Sequence, residues 1–179
     1  MPIMDAIADR KGELKDVDYT FALVLRPYKI FQPEFRDTFN LVPAFYSPMP
    51  HHQALADSEW ANFWPCQSSD IGIKLPHRNR IYPRRDAIVL QCTPPDEHGF
   101  VNLGLDTFYT YTIMKQSGLV IGEVNENMPR TFGETNFHVS LFDAFVGRLR
   151  ALGVPVQTGV FEDSVNANTR FAPAPVSLT

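Results

Sequence analysis

Two short stretches of this chain concentrate side chains able to do chemistry. Thr93-Pro94-Pro95-Asp96-Glu97-His98-Gly99-Phe100 sets two carboxylates and an imidazole beside a diproline and a glycine. Asp96, Glu97 and His98 could carry protons or orient a polar ligand. Pro94 and Pro95 stiffen the chain, and Gly99 can take a positive φ. The same residue types also build an ordinary turn whose carboxylates accept hydrogen bonds from nearby amides. One histidine beside two carboxylates is a further possibility for metal, but no second histidine stands at ligand spacing, so no metal site is expected. The second stretch, Asn125-Glu126-Asn127-Met128-Pro129-Arg130-Thr131-Phe132-Gly133, carries Asn125, Asn127 and Arg130 around a Met-Pro pair. Arg130 is its only side chain able to hold a carboxylate or phosphate bidentately. It could as well tie its own loop to a neighbouring carboxylate such as Glu134. His138, in Asn136-Phe137-His138-Val139-Ser140, precedes an expected helix start, where a lone histidine is more often structural.

Both loops follow strong strand signals, and those strands must position them. Residues 86–92 and 119–124 are short, nearly continuous apolar runs of the kind buried on both faces of a parallel sheet. Residues 19–25 and 41–46 are further strand candidates, with Pro43 suiting an edge. One helix is expected from residue 3 until Gly12 and the Lys15-Asp16 pair end it, and others at 53–64, from an Asp106 cap through Met114 to Ser117, and from Ser140 or Asp143 to Gly153. Residues 154–156 could end one more strand. Strands alternating with helices predict an α/β fold, a mostly parallel sheet flanked by helices. Ligands of such sheets sit beyond the carboxyl ends of the strands, where both loops lie. Residues 1–165 are expected to form this domain and 166–179, rich in Asn, Ala and Pro, a tail.

Bulk properties narrow the function classes. The 179 residues are 44% hydrophobic and 12% aromatic, enough to build a core and too apolar for a disordered chain. A net charge of −4 with interspersed signs argues against nucleic acid as the main partner. The densest basic stretch, His77-Arg78-Asn79-Arg80 with Arg84-Arg85, suits a solvated loop or a landing place for an anion. Cys66 and Cys92 make no disulfide framework and lack zinc spacing. No GxSxG elbow, Walker loop or GxGxxG occurs. Cys92 ends a buried-type strand and reads as core. Charges interrupt the N-terminus early and no apolar run reaches transmembrane length, so a cytoplasmic protein without membrane contact is expected.

Gln91-Cys92-Thr93-Pro94-Pro95-Asp96-Glu97-His98-Gly99-Phe100-Val101-Asn102-Leu103-Gly104 resembles the "SPPDEHGY…SLG" signature of acetyl-CoA hydrolase/transferase enzymes, among them 4-hydroxybutyrate, succinyl and butyryl CoA-transferases. Residues 120–133 resemble the family's "VIAEVNPNMPRTHG" and residues 136–140 its "FIHVS", in the same order and spacing. The resemblance spans residues 2–146 and is closest over 86–146, while residues 40–85 match poorly.

This resemblance implies the fold of a CoA-transferase N-terminal domain. It implies acyl-CoA and a small carboxylic acid as partners, with coenzyme A a substrate and no cofactor held permanently. In that family two similar α/β domains face each other across a cleft. A glutamate of the second domain attacks the acyl-CoA, and the resulting glutamyl-CoA thioester passes CoA to another carboxylate. Carried over, Asp96 and Gly99 in the first loop and Asn127, Met128, Pro129 and Arg130 in the second face the cleft as substrate-binding residues. Glu97 and His98 are the candidate catalytic groups. The glutamate motif has no counterpart here. The family's first strand and its glycine-rich turn have none either, because Pro2 aligns just after that turn. The chain is therefore expected to be part of a CoA-transferase or acyl-CoA hydrolase that works with a complementary domain or subunit. It is also expected to self-associate through an apolar face left open. Two alternatives stand beside this: a non-catalytic carboxylate- or CoA-binding or assembly module, and a small standalone thioester hydrolase in which Glu97 and His98 activate water.

Overall fold

A computed structural model describes residues 2–44, 46–64, 67, 69–71, 85–147 and 160–161. The basic stretch before Arg85, the expected strand at 154–156, the helix end at Gly153 and the tail from 166 lie outside the described residues. The chain forms two compact units, residues 1–68 and 69–179.

In the first unit, α1 (Pro2–Asp9) buries Ile3, Met4 and Ala8. Strand β1 (Val17–Phe21) pairs in parallel with β2 (Phe39–Pro43), Val17 opposite Phe39 and Phe21 opposite Pro43. The expected strand at 19–25 stops at Phe21 because the peptide groups of Val24 are engaged elsewhere. His51 and His52 open α2 (Pro50–Asp57) and bracket that residue. His51 Nε2 lies 2.6 Å from the Val24 carbonyl oxygen, and the Val24 N–H donates to His52 Nε2 at 3.3 Å. Pro50 suits the first helical position, where its missing N–H would have no partner anyway. The helix ends sooner than its apolar spacing predicts. Beyond Asp57 the chain returns alongside β2, with Asn62 N–H donating to Leu41 O at 2.8 Å and Trp64 N–H to Pro43 O at 3.0 Å. Backbone pairing thus decides against helix over residues 58–64.

The second unit holds β3 (Ala87–Cys92), β4 (Phe100–Asn102), α3 (Thr110–Met114), β5 (Leu119–Val124), β6 (Asn136–His138), β7 (Ala144–Val146) and β8 (Val160–Phe161). Strands β3, β5, β7 and β8 form one parallel sheet in that order. Leu90, Cys92, Val120, Met114, Phe142 and Phe145 build its core with Val101, Leu103 and Phe137. At about 25 cal/mol per Å² of apolar surface, this burial is the main force holding the unit together. Gly122 lets the Phe145 ring lie directly on β5, since a Cβ there would meet the ring at 2.7 Å. The expected helix after Ser140 or Asp143 is instead a short 3-10 turn, Val139–Leu141, followed by β7. Asp143 joins β5 from both sides: its Oδ2 accepts from Val120 N–H and its own N–H donates to Val120 O, each at 2.8 Å. A residue engaged in that way starts a strand, not a helix. Asp106 likewise sits ahead of α3 without capping it, accepting from Thr110 Oγ1 at 2.8 Å.

The architecture is α/β, with parallel sheets flanked by helices. One element the sequence does not announce is an antiparallel ribbon of β4 and β6, with Phe100 opposite His138, Val101 opposite Phe137 and Asn102 opposite Asn136. No helix among the described residues is long and apolar enough to cross a membrane.

Candidate functional site

Strands β3 and β5 are parallel neighbours, so the loops leaving their carboxyl ends emerge side by side. The β4–β6 ribbon then keeps them together, because β4 continues the first loop and β6 the second. Thr93 N–H donates to Asn102 O at 2.9 Å, and Thr93 Oγ1 accepts from Asn102 N–H at 3.0 Å, closing the first loop at its base. Between them the loops enclose an open depression of about 450 Å³ lined by Thr93, Pro94, Pro95, Asp96, Glu97, Glu126, Met128 and Arg130.

The first loop turns on Asp96. Its backbone N–H donates to Phe100 O at 2.9 Å, and its Oδ1 accepts from the amides of His98 at 3.0 Å and Phe100 at 2.8 Å. Gly99, at φ +79°, makes the reversal possible, and a Cβ there would also lie 3.0 Å from His138 Nε2. Burial pushes the Asp96 carboxyl up, but the amides of Phe100 and His98 and the nearby Arg130 outweigh it and hold the group below its usual range. The turn expected from residue types is thus present, with Asp96 bonding its own loop.

The second loop repeats the device more loosely. Asn125 Oδ1 accepts from Asn127 N–H at 3.0 Å, and Met128 N–H donates to Asn125 O at 3.1 Å. Arg130 then reaches back across the depression. Its Nη2 donates to Pro94 O at 2.9 Å and Phe100 O at 3.2 Å, and its Nη1 lies 3.6 Å from Asp96 Oδ2. The carboxylate it meets is Asp96, not Glu134. The Asp96 and Arg130 side chains are 36% and 44% exposed, so the ion pair itself adds little stability. The guanidinium's value is geometric: it spans both loops.

The loops bring Asp96, Glu97, Met128 and Arg130 to one depression. His98, Gly99, Asn127 and Pro129 lie beside it without lining it. Glu97 Oε1 and His98 Nε2 stand 3.6 Å apart and point to solvent, 86% and 76% exposed. Cys92 is fully buried, and burial, then Glu123, pushes its thiol up to about 12, so it is no nucleophile. Among the described residues no three His, Cys, Asp or Glu side chains are grouped to hold a metal ion. Sequence reasoning gave no role to Asn102 and Gly104, yet both shape the site. Gly104, at φ +57°, makes room for the second loop, since a Cβ there would collide with Met128 and lie 2.8 Å from Pro129 O. Their only sequence signal is membership of the "VNLG" segment.

Comparison with known proteins places these loops in context. Residues 59–152, just over half of the chain, match the family model of the acetyl-CoA hydrolase/transferase N-terminal domain. The 4-hydroxybutyrate coenzyme A transferase of Clostridium kluyveri is 41% identical over 61 residues, covering 34% of this chain and 14% of that enzyme. The butyryl-CoA:acetate CoA-transferase of Anaerostipes caccae is 30% identical over 152 residues, covering 79% of this chain and 31% of that enzyme. The chain thus spans less than a third of the length of these curated relatives. The crystal structure of RipA from Yersinia pestis shares the fold, with a TM-score of 0.66 at 24% identity over 79% of this chain and 34% of that one.

Proposed function

Because the chain belongs to the acetyl-CoA hydrolase/transferase family, through its N-terminal domain, we propose that it supplies one wall of a CoA-transferase or acyl-CoA hydrolase cleft. The reaction moves CoA between an acyl-CoA and a small carboxylate through a glutamyl-CoA thioester. The glutamate comes from a complementary domain or subunit facing this wall. Residues 1–165 act as the wall, with 166–179 as a tail. Coenzyme A and its esters are substrates, and no permanently bound cofactor takes part.

The observation that carries this reading is the convergence of the two family loops on one depression at the carboxyl ends of β3 and β5. Within it, our reading assigns substrate contact to Asp96, Met128 and Arg130. Gly99, Asn127 and Pro129 serve the same end by shaping the loops. Pro94, Pro95 and Met128 offer an uncharged surface to an acyl chain. Covalent exchange divides one hard transfer into two easier ones, so the wall need only orient the ester and exclude water.

The test is incubation with butyryl-CoA and acetate, following the CoA esters by chromatography, with and without a separately produced C-terminal domain of a related transferase. Transfer only in the mixture, with a trappable glutamyl adduct on the added domain, is the expected result. Transfer by this chain alone would refute the need for a complementary glutamate. The open setting of Glu97 and His98 bears on the standalone-hydrolase alternative: a general base that exposed gains little preorganisation, so that reading ranks lower. Sedimentation checks the proposed self-association, and a monomer at high concentration would count against it.

A further inference from the structure

Asn102 ends β4 with 1% of its surface exposed, and its side-chain amide engages every polar atom of Thr131. Its Oδ1 accepts from Thr131 N–H at 3.1 Å and from Thr131 Oγ1 at 3.3 Å, while its Nδ2 donates to Thr131 O at 2.9 Å. The rest of the amide serves the same junction. Oδ1 also accepts from Gly104 N–H at 2.8 Å, and Nδ2 also donates to Thr135 Oγ1 and Asn136 Oδ1, each at 2.9 Å. This network fixes the amide's orientation, since exchanging N and O would press an NH₂ group against two backbone N–H donors.

Thr131 follows Arg130 directly. Its N–H belongs to the peptide joining it to Arg130, and its carbonyl to the next one. Holding both fixes the chain direction immediately after the Arg130 Cα. From that base the guanidinium reaches Pro94 O, Phe100 O and Asp96. We propose that Asn102 is the positioning residue that aims Arg130 at Asp96 and so sets the shape of the wall that meets acyl-CoA. The acyl-CoA half of this statement rests on the CoA-transferase reading above; the aiming of Arg130 does not. The chemistry suits an amide. The signature this segment resembles has serine at that place. Its hydroxyl has one proton to donate, from the same oxygen that accepts, where the amide has two donor protons on a separate nitrogen. A buried amide satisfied at both ends is also rigid, because breaking any bond strands a polar group away from water.

The Asp96 carboxyl reports on where Arg130 points. It faces Arg130, the amides of His98 and Phe100 and the His98 ring, with Glu97 and Glu126 lining the same depression. The experiment is a carbon-13 NMR titration of Asp96 in the full chain, for wild type, Asn102→Ser, Arg130→Gln and the double variant, with circular dichroism to verify folding. Asn102→Ser should move the Asp96 midpoint up toward the ordinary carboxylate value of about 3.9. Arg130→Gln should do the same, and the double variant should move it no further than Arg130→Gln alone. If Asn102→Ser does not fold, Thr131→Val cuts only the hydroxyl and should give a smaller rise in the same direction. A folded Asn102→Ser protein with the wild-type midpoint, or a fully additive double variant, overturns the proposal. A residue that merely stabilised the fold would lower the unfolding midpoint and leave Asp96 alone. Calorimetry with butyryl-CoA on the same proteins decides the acyl-CoA half separately. Weaker binding in Asn102→Ser supports it, and no binding by wild type overturns that half and the cleft-wall reading, while the titration still judges the aiming of Arg130.

Discussion

His52 in the first unit and Asn102 in the second are equally hidden, 0% and 1% exposed, but their polar atoms fare differently. Asn102 uses both ends of its amide on two loops and a strand. His52 accepts from Val24 N–H with Nε2, while its Nδ1 is buried without a partner among the described residues. An imidazole's nitrogens point apart, so an aromatic pocket that suits the ring against Phe21 can satisfy one nitrogen and strand the other. An amide's O and NH₂ lie together at the end of a short stem, so one junction can use both. The lesson is that burial alone does not rank polar groups: the saturated one should be costlier to lose than the half-satisfied one.

The largest effect that comparison forecasts is at Asn102. Asn102→Ala strands the buried N–H groups of Gly104 and Thr131 and should cost about 3 kcal/mol or more. Urea unfolding, with hydrogen exchange at the β3 and β5 amides, measures it. A loss below about 1 kcal/mol would mean that water replaces the amide easily, and the contrast with His52 would fail. Gly104→Ala comes next. It combines a positive φ with a collision at Met128 and Pro129, and should cost about 2 kcal/mol while leaving residues 1–68 untouched.

How far the sequence foretold this arrangement follows from the same physics. β3 and β5 were legible because each is a six-residue apolar run, long enough for burial on both faces to mark it. The turn chemistry of Asp96 and Gly99 was legible because those residue types have few other uses side by side. The β4–β6 ribbon was not, since three residues a strand carry no period, although it joins the two loops. β7 read as a helix because an aspartate ahead of apolar residues is also a cap signal, and only the pairing with Val120 decides otherwise. Asn102 was not legible, because nothing local reveals that most of its partners lie about 30 residues on.

A smaller effect should appear at His52, and its signature is in the pH dependence. Burial, then His51, lowers the pKa of His52, outweighing the backbone of Val24, which raises it. The unfolded chain therefore takes up the proton more readily than the folded one. This contribution to stability is fully present above the free-histidine value of about 6.5 and is lost as pH falls below it. Both tryptophans, Trp60 and Trp64, lie in residues 1–68, so tryptophan fluorescence follows this unit. His52→Leu should flatten the loss of stability on acidification and cost about 1 kcal/mol at pH 7.5, since it leaves Val24 N–H without its acceptor but also removes the unpartnered Nδ1. An unchanged pH slope would move the acid sensitivity to another group.

The smallest structural effect should come from Glu97, where the two kinds of evidence pull apart. It lines the depression between the two loops, while its side chain is 86% exposed and lies 3.6 Å from His98. Glu97→Gln should alter stability by less than about 0.5 kcal/mol. If the reacting glutamate belongs to a complementary domain, the same change should slow CoA transfer by the completed enzyme less than tenfold, or under about 1.4 kcal/mol of barrier. A hundredfold or greater loss with unchanged stability would put Glu97 in contact with the reacting atoms. It would then favour water activation by Glu97 and His98 over exchange through a glutamate elsewhere, because an exposed carboxylate matters that much only when a partner closes over it and removes the water.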